Sequence, residues 1–555
     1  MDQRTWPAWI AIGWAVAISW FAINAQKPPA TLPVDAPSDV FAAGRAQKHV
    51  EDIARAPHPT GSAEAERVRG HLVQKLKDLR LVPEIQVPRK SDSPVRNVVA
   101  RLTGEGPPGK KTLMLCAHYD SVDNGPGAGD DASGVAVVLE TLRALKADPP
   151  LERVVIVLFT DGEENGLDGS QLFVDEHPWA KEVGVVLNFD ARGNSGPSVM
   201  FETSEGNGWL IDQYARAAPH PLATSLSVDV YKRMPNSTDL TIFKNAGMGG
   251  LNFAFSAGIG YYHTSEDTLG NLDRRTLQHQ GENALAMTRQ LGRLDLDKPK
   301  RDDVIYTSIL NRIVISYSKA WVLPLALIAT GLFVAVLLFS TRVGLMRLAD
   351  LAATAGVLLA AIITSLLTIS ILLLVEIFWS VLRDPFHGAS TSWHRYDVAI
   401  VSGCALVTTI VTLSLERWSG EHRPLIALCL GALLWWLVLS VGTALWLPGA
   451  SYLFVWPTLA GVLGLNIKLQ FRPGSVFTWV MTLLCTVPSL LLLPPLICIT
   501  FDALSLDTAA PIVMILVVLF MGTTLPILGP LVARDVTPWH GSGDSNQQWP
   551  ATGYL

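Results

Sequence analysis

The sequence predicts an α/β domain with a mainly parallel, mixed sheet sandwiched by helices, followed by an all-α domain of membrane-spanning helices. Two observations predict this order. Between residues 40 and 297, short apolar or β-branched runs alternate with helical patterns, which is typical of a parallel sheet covered by helices. After residue 320, apolar runs of about 20 residues recur, and each is long enough to cross the hydrocarbon core of a bilayer.

The 555 residues divide into five predicted segments. Charged residues are frequent before residue 320 and rare after it, so the main boundary falls close to that point. From the N-terminus, the segments are a membrane anchor with its linker (1–38), the α/β domain (39–300), a connector (301–320), a transmembrane domain of about seven helices (321–535) and a cytoplasmic tail (536–555).

The first segment begins with one uncharged apolar stretch, residues 6–25, which predicts a membrane anchor. A cleaved signal peptide is the alternative. Such peptides have a shorter apolar centre and a small-residue cleavage site, and Ala22 to Ala25 offers only a weak one. A proline-rich linker from Lys27 to Pro37 joins this stretch to the α/β domain.

The α/β domain is predicted from five candidate strands and three candidate helices. The strands are Thr112–Ala117, Arg153–Thr160, Gly184–Phe189, Ser198–Glu202 and Gly250–Phe255, and the helices are Ala63–Leu79, Gly134–Ala147 and Leu272–Leu291. Ligands of such sheets bind beyond the carboxyl ends of the strands. His118 follows the first strand, Glu163 and Glu164 follow the second, and Asp190 ends the third. The sequence therefore predicts a ligand site at this edge.

Seven membrane spans are predicted in the C-terminal half, at about 321–340, 349–379, 397–415, 424–446, 449–466, 475–499 and 509–533. Seven lysines and arginines fall in the loops and tail on one side of these spans, and two fall on the other. Positive residues concentrate on the cytoplasmic side, so both termini are expected there. The single N-terminal span then places the α/β domain on the extracytoplasmic side, periplasmic or lumenal.

Amino-acid composition narrows the range of possible binding partners. The formal net charge of −6 argues against a nucleic-acid partner, and the apolar half implies membrane lipid. The predicted spans carry almost no charged residue at mid-depth, which favours anchoring or oligomerisation over transport. The sequence does not indicate an oligomeric state.

Metal-binding side chains occur in one order along the α/β domain. His118, Asp130, one of the adjacent acids Glu163 and Glu164, Asp190 and His263 make two histidines and three carboxylates. This set suits zinc or a similar divalent ion and is too large for one catalytic ion. Two ions that share a carboxylate can activate a water molecule near neutral pH, which points to a hydrolase.

Each of these residues also has a plainer interpretation when it is taken alone. His118 and Asp120, separated by one residue, resemble a common surface pair, although Asp120 suits an acid that fixes the imidazole tautomer. Asp131 precedes a helical pattern and suits a helix N-cap, which leaves Asp130 as the ligand. A buried histidine within the core is the alternative for His263.

The adjacent acids Glu163 and Glu164 are expected to do different jobs, because neighbouring side chains diverge. One can bind metal while the other faces the substrate as a general base, and their mutual repulsion favours nearby cations. A solvated acidic loop is the alternative. Asp190 ends an apolar strand, where a buried charge needs a partner.

Together, these motifs resemble the co-catalytic zinc aminopeptidase family (metallopeptidase family twenty-eight), over roughly residues 45 to 295. The motifs are His118-x-Asp120, Gly-Asp130-Asp131-Ala-Ser-Gly, Glu163-Glu164-x-Gly-Leu-x-Gly-Ser170, Asp190 and His263-Thr. The resemblance implies a bridging Asp130, one metal site completed by His118 and Asp190, a second completed by Glu164 and His263, Glu163 as the general base and Asp120 as an orienting acid.

The resemblance suggests further roles with less detail. Asp239 is expected to support His263, and Tyr261 or Tyr262 is a candidate for stabilising the oxyanion. The attached membrane half is similar to the endoplasmic reticulum metallopeptidase and vacuolar membrane protease branch.

The resemblance implies a membrane-anchored exopeptidase with two Zn²⁺ ions, other divalent ions remaining possible. Such an enzyme would act as an aminopeptidase on N-terminal residues of peptide substrates. The alternatives are a carboxypeptidase, a glutaminyl cyclase-like activity on the same fold, or a non-catalytic membrane scaffold or transporter.

Overall fold

A computed structural model of the chain describes residues 6–89, 91–383, 424–471, 476–503 and 512. Its strands are β1 (Glu84–Gln86), β2 (Asn97–Leu102), β3 (Thr112–His118), β4 (Val155–Thr160), β5 (Val183–Ala191), β6 (Val199–Thr203), β7 (Gly249–Phe255), β8 (Val304–Ile309) and β9 (Ile313–Ser318). The helices before residue 300 are α1 (Trp6–Asn24), α2 (Ala43–Ile53), α3 (Ala63–Asp78), α4 (Ala132–Leu145), α5 (Asp168–Glu176), α6 (Gly208–Ala217), α7 (Ser225–Tyr231), α8 (Asp239–Asn245) and α9 (Arg274–Leu291).

Strands β1 to β7 form one mixed sheet in the order β1-β2-β4-β3-β5-β7-β6. The four central strands, β4, β3, β5 and β7, run parallel, whereas β1, β2 and β6 are antiparallel to their neighbours. This arrangement confirms the predicted fold class. It also brings the carboxyl ends of β3, β4, β5 and β7 to one edge of the sheet.

The central strands are buried because helices cover both faces of the sheet. All seven residues of β3 are buried, and the five apolar ones, residues 113–117, alternate between two hydrophobic clusters. Leu113 and Leu115 pack in the cluster that includes α2, α4 and α9, whereas Met114 and Cys116 pack in the cluster that includes α5 and α8. Each strand therefore holds its C-terminal residue rigidly at the edge of the sheet.

All five predicted strands and all three predicted helices are present, with ends within two residues of the predicted positions. The structure also contains elements that were not predicted, namely the short edge strand β1, the strand β2 and the helices α2, α5, α6, α7 and α8. The predicted connector, residues 301–320, folds as the antiparallel hairpin β8–β9.

The C-terminal half contains long apolar helices. Within the described residues these are α10 (Val322–Arg342), α11 (Leu348–Arg383), α12 (Leu425–Trp446), α13 (Ser451–Gln470) and α14 (Val476–Ala503). All five contain a stretch that is long and apolar enough to cross a membrane, and they correspond to five of the predicted spans. The other two predicted spans, 397–415 and 509–533, lie outside the described residues. The predicted anchor forms α1, which packs against α14.

Helix α7 joins the α/β domain to the membrane helices. Ser225 donates a hydrogen bond to the Gly449 carbonyl at 2.8 Å, and the Gly449 amide donates to Asp229 at 2.6 Å. The hydroxyls of Thr224 and Tyr452 lie 2.6 Å apart. These contacts connect α7 to the turn between α12 and α13. The α/β domain and the membrane helices therefore share a polar interface at this point.

Acid is expected to destabilise the α/β domain through His279, which is fully buried in α9. Its Nδ1 accepts from the Ser198 amide at 3.1 Å and its Nε2 donates to the His220 carbonyl at 2.8 Å, which requires the neutral ring. Burial lowers the pKa of His279 from 6.5 to about 4. The unfolded chain therefore binds more protons than the folded chain between these pH values. The contribution of the neutral His279 ring to the free energy of unfolding is complete above pH 6.5 and is lost as the pH falls towards 4.

Replacing His279 with Asn tests this contribution, because Asn keeps an acceptor for Ser198 and does not titrate. Between pH 7 and pH 4, wild type should lose up to roughly 3 kcal/mol of its free energy of unfolding through His279. Thermal unfolding of the purified membrane protein at both pH values should show a smaller acid-induced drop for His279→Asn. Equal drops would remove His279 as the cause.

Candidate metal centre

All five predicted metal-binding side chains meet at the carboxyl edge of the sheet. They come from the last residue of β3, the loop before α4, the loop after β4, the end of β5 and the loop after β7. In chain order they are His118, Asp130, Glu164, Asp190 and His263. Residues separated by up to 145 positions are therefore brought together by the parallel order of the strands.

These side chains form two groups, each able to hold a metal ion. In the first group, His118 Nε2 lies 3.0 Å from Asp130 Oδ1 and 4.0 Å from Asp190 Oδ1. In the second, His263 Nε2 lies 3.1 Å from Asp130 Oδ2 and 3.0 Å from Glu164 Oε2. The potential ligand atoms of each group lie within 4.8 Å of one another. Asp130 offers one carboxylate oxygen to each group, which is the geometry of a bridging ligand.

A tight glycine-rich loop places Asp130 between the two groups. Asp267 accepts hydrogen bonds from the amides of Gly129, at 2.7 Å, and of Asp130, at 3.1 Å. A Cβ atom on Gly129 would lie 2.4 Å from the Gly193 carbonyl oxygen, so this close approach requires glycine. Asp131, joined to Asp130 by a cis peptide bond, caps α4 through the Gly134 amide, as predicted.

Asp120 connects the first histidine to the two adjacent acids. Its carboxylate accepts hydrogen bonds from the backbone amides of Glu163 and Glu164, both at 3.2 Å. His118 Nδ1 lies 3.1 Å from the Asp120 carbonyl oxygen and 3.5 Å from the carboxylate. The orientation of the imidazole therefore rests on both the backbone and the side chain of Asp120, and its carboxylate additionally holds the loop that carries the two acids.

Replacing Asp120 with Asn should weaken metal binding, because an amide cannot accept both backbone hydrogen bonds with equivalent oxygens. Loss of such a supporting group typically costs about 10–100-fold in metal affinity. Competition against a zinc-buffering chelator measures this change. Asp123→Asn, on the same loop but outside these contacts, serves as the control. An affinity equal to that of wild type would show that Asp120 does not orient the site.

The electrostatics of the cluster show a requirement for positive charge. Burial and the neighbouring Asp130 charge raise the pKa of Asp190 to about 7, and burial also raises the pKa of Glu163 and Glu164. Burial opposes protonation of His263, but hydrogen bonds to Asp130 and Glu164 outweigh it and raise its pKa to about 10. The negative charges of the clustered acids therefore favour the protonated forms of neighbouring acids and of His263.

One buried carboxylate oxygen, Glu164 Oε1, lacks a hydrogen-bond partner among the described residues. An unpaired buried oxygen of this kind is costly unless a cation or water satisfies it. Imidazole nitrogens and carboxylate oxygens are also ligands that Zn²⁺ accepts. The donor set, its charge and the unpaired oxygen all fit a pair of divalent ions.

Two further predictions concern Asp239 and the two tyrosines before His263. Asp239 does not hydrogen-bond to His263, so that interpretation is wrong: one carboxylate oxygen accepts from Thr160, and the other has no hydrogen-bond partner among the described residues. The error arose because the Asn-Ser-Thr-Asp segment forms the cap and first residue of α8, which packs near β5 and β7 rather than beside His263. Tyr262 stacks on the His263 ring with the ring centroids 3.7 Å apart, whereas Tyr261 is exposed.

Asp267 was not among the predicted site residues, although it accepts hydrogen bonds from the backbone amides of Gly129 and Asp130. It lies four positions after His263 in a polar loop that has no strand or helix pattern. The only sequence signal for Asp267 was its position shortly after His263, a suspected metal ligand. The backbone amides that it binds carry no sequence signal at all.

Comparison with known proteins connects this geometry to a family. Residues 97–288 match the model of Peptidase family M28, and this range contains all five side chains of the two groups. The domain belongs to peptidase family M28. The chain is 31% identical over 414 residues to endoplasmic reticulum metallopeptidase 1 of Rattus norvegicus, which covers 67% of this chain and 44% of that protein. It is 30% identical to a vacuolar membrane protease of Candida dubliniensis, over 47% of this chain and 29% of that protein.

Among solved structures, a zinc aminopeptidase from Bacillus subtilis matches with a TM-score of 0.38 and 16% identity, over 47% of this chain and 97% of that one. The match to a glutaminyl cyclase of Porphyromonas gingivalis has a TM-score of 0.37 and 21% identity, over 44% of this chain and 97% of that one.

These comparisons confirm the predicted family and branch. They also agree with the long apolar helices in identifying a membrane protein. The chain spans less than half the length of the metallopeptidase relatives that it matches.

Proposed function

We propose that the M28 chain is a membrane-anchored exopeptidase with two zinc ions, which removes N-terminal residues from peptides. The observation that carries this proposal is the shared carboxylate: Asp130 offers one oxygen to His118 and the other to His263. Asp190 and Glu164 complete the two groups. A structural zinc site is closed by one set of four ligands, whereas this arrangement is built for two neighbouring ions with open positions.

The chemistry follows from the charges around the site. When bound, a pair of divalent ions supplies Lewis acidity for the scissile carbonyl and lowers the pKa of a shared water molecule. Glu163 takes the proton from the attacking water and delivers it to the departing amine. Burial raises the pKa of Glu163, and the charges of Asp190 and Asp239 add to this effect while His118 opposes it.

Two other side chains have proposed supporting roles. Asp120 fixes the Glu163 backbone and the His118 ring, so it sets the geometry between base and ligands. Tyr262 is the better candidate than Tyr261 for contacting the substrate carbonyl, because it packs on His263 whereas Tyr261 points into solvent.

Synthetic peptides blocked at either end test the proposed direction of cleavage. An aminopeptidase hydrolyses peptides with a free amine and a blocked carboxyl terminus, and it rejects N-acetylated ones. The reverse pattern would assign a carboxypeptidase. Release of a cyclised N-terminal product from glutaminyl peptides would assign a cyclase, and the absence of any chelator-sensitive turnover would leave a non-catalytic scaffold or transporter.

The asymmetry of positive charges supports an extracytoplasmic α/β domain with both termini in the cytoplasm. Protease added to sealed, right-side-out vesicles should then cleave an epitope inserted beside Val82, in the turn after α3 where Arg80 and Val82 are exposed. Protection of that turn until the vesicles are opened would reverse the proposed orientation.

A further inference from the structure

The hairpin β8–β9 lies between the α/β domain and the membrane helices, and its two faces belong to different environments. On one face, Tyr306 is buried in the main core of the α/β domain and Val314 packs against that core. On the other face, Ile305, Ile309 and Tyr317 pack with residues of the membrane helices. Side chains alternate between faces along a strand, so the hairpin has one face towards the α/β domain and one towards the membrane half.

The membrane-facing side continues beyond the protein contacts. The strand register pairs Ile305 with Tyr317 and Ile309 with Ile313, and places Ile315 between them on the same face. Tyr317 contacts the membrane helices directly, with its hydroxyl 3.3 Å from the Ser451 hydroxyl. By contrast, Ile313 is 61% exposed and Ile315 is 41% exposed. Two large apolar side chains are therefore left uncovered on a face whose other members touch the membrane half.

Both ends of the hairpin adjoin ends of apolar helices. β9 runs through Lys319–Trp321 directly into α10, and Trp321 is 56% exposed. At the other end, the hairpin turn contains Asn311, whose side-chain amide donates to the Gln26 carbonyl at 3.3 Å. Gln26 lies just beyond the C-terminus of α1. The hairpin therefore extends along the plane in which α1 ends and α10 begins.

We propose that the β8–β9 hairpin lies in the interfacial layer of the bilayer and binds lipid through Ile313, Ile315 and Trp321. Three observations select lipid as the occupant: continuity with the membrane-helix contacts of Tyr317, the position between two helix ends, and a tryptophan at the start of a span, where such rings sit at headgroup depth. Apolar side chains on this face gain by leaving water for the acyl boundary.

This contact gives the hairpin a mechanical role. Its opposite face is part of the α/β core, so lipid bound at Ile313 and Ile315 holds that domain against the bilayer independently of the covalent connection to α10. The inference does not require catalysis, and it stands or fails separately from the proposed peptidase activity.

Site-directed spin labelling of the full chain in lipid nanodiscs tests the proposal. Nitroxides are placed by Ile313→Cys and, separately, Ile315→Cys, and their collision rates with oxygen and with a water-soluble nickel complex are measured by power saturation. Val82→Cys, at a residue that is 86% exposed on the α/β domain, gives the reference for water. Ser316→Cys, at an exposed residue on the opposite face of β9, gives the reference for the same strand. Wild-type protein carried through the labelling gives the background from native cysteines.

The expected result is that the labels at 313 and 315 collide more with oxygen and at least several-fold less with the nickel complex than the labels at 82 and 316. Collision with nickel at the rate of the Val82 label would show that this face lies in water. Protection from both reagents would show that protein, such as a second copy of the chain, covers the face. Either of these two results overturns the proposal.

Discussion

Glu163→Gln is expected to abolish most peptide hydrolysis while leaving the metal content unchanged. Glutamine matches glutamate in size, but it cannot take a proton from the attacking water or return it to the leaving amine. Loss of a general base typically lowers turnover by roughly 10²–10⁴-fold. The backbone contact between Glu163 and Asp120 does not involve the altered group, so the loop should keep its position.

The control for this variant is Glu266→Gln, which removes an exposed acid from the loop after His263. Turnover of a chromogenic aminoacyl amide, with zinc measured in parallel by elemental analysis, separates chemistry from metal loss. Near-normal turnover in Glu163→Gln would remove this residue from the mechanism. A parallel loss of zinc would instead assign Glu163 to metal binding.

Asp130→Ala is expected to weaken binding of both metal ions, because one carboxylate faces both ligand groups. Asp190→Ala alters only the group that contains His118, so it should weaken one ion and spare the other. Loss of a direct ligand should cost more than the ~10–100-fold typical of a supporting residue. Zinc stoichiometry across a series of buffered free-zinc concentrations distinguishes the two variants.

The expected titrations differ in shape. Wild type binds two ions per chain, Asp190→Ala keeps one at wild-type affinity, and Asp130→Ala has none at that affinity. Asp168→Ala, an exposed acid at the start of α5, is the control for general effects of removing a charge. If Asp130→Ala retained one ion at full affinity, Asp130 would not bridge the two groups.

The clustering of the candidate metal-binding side chains was predictable from the sequence because these residues follow apolar strands. His118 and Asp190 sit at the ends of continuous buried runs, and parallel strands bring such ends to one edge of the sheet. The assignment of separate roles to Glu163 and Glu164 came from the family resemblance. Their spacing showed only that the two acids diverge.

Other parts of the fold carried weaker signals. β1 has three residues, two of them exposed, so no apolar alternation marks it. Helix α7 has only seven residues, and it is held in position by contacts with the turn at Gly449, which lies more than 200 positions away in the sequence. The role of Asp239 was predicted wrongly for a related reason. Its position in the sequence did not indicate where α8 lies relative to His263. Local patterns predict elements, whereas such long-range contacts appear only in the folded chain.

Two neighbouring metal ions, one on either side of Asp130, are the central expectation for this site. Anomalous diffraction from the zinc-loaded protein, collected on both sides of the zinc absorption edge, tests this directly. Two peaks about 3.5–4 Å apart are predicted, one beside His118 and Asp190 and the other beside Glu164 and His263. A single peak, or zinc bound away from Asp130 under saturating metal, would contradict the two-ion centre and the peptidase mechanism built on it.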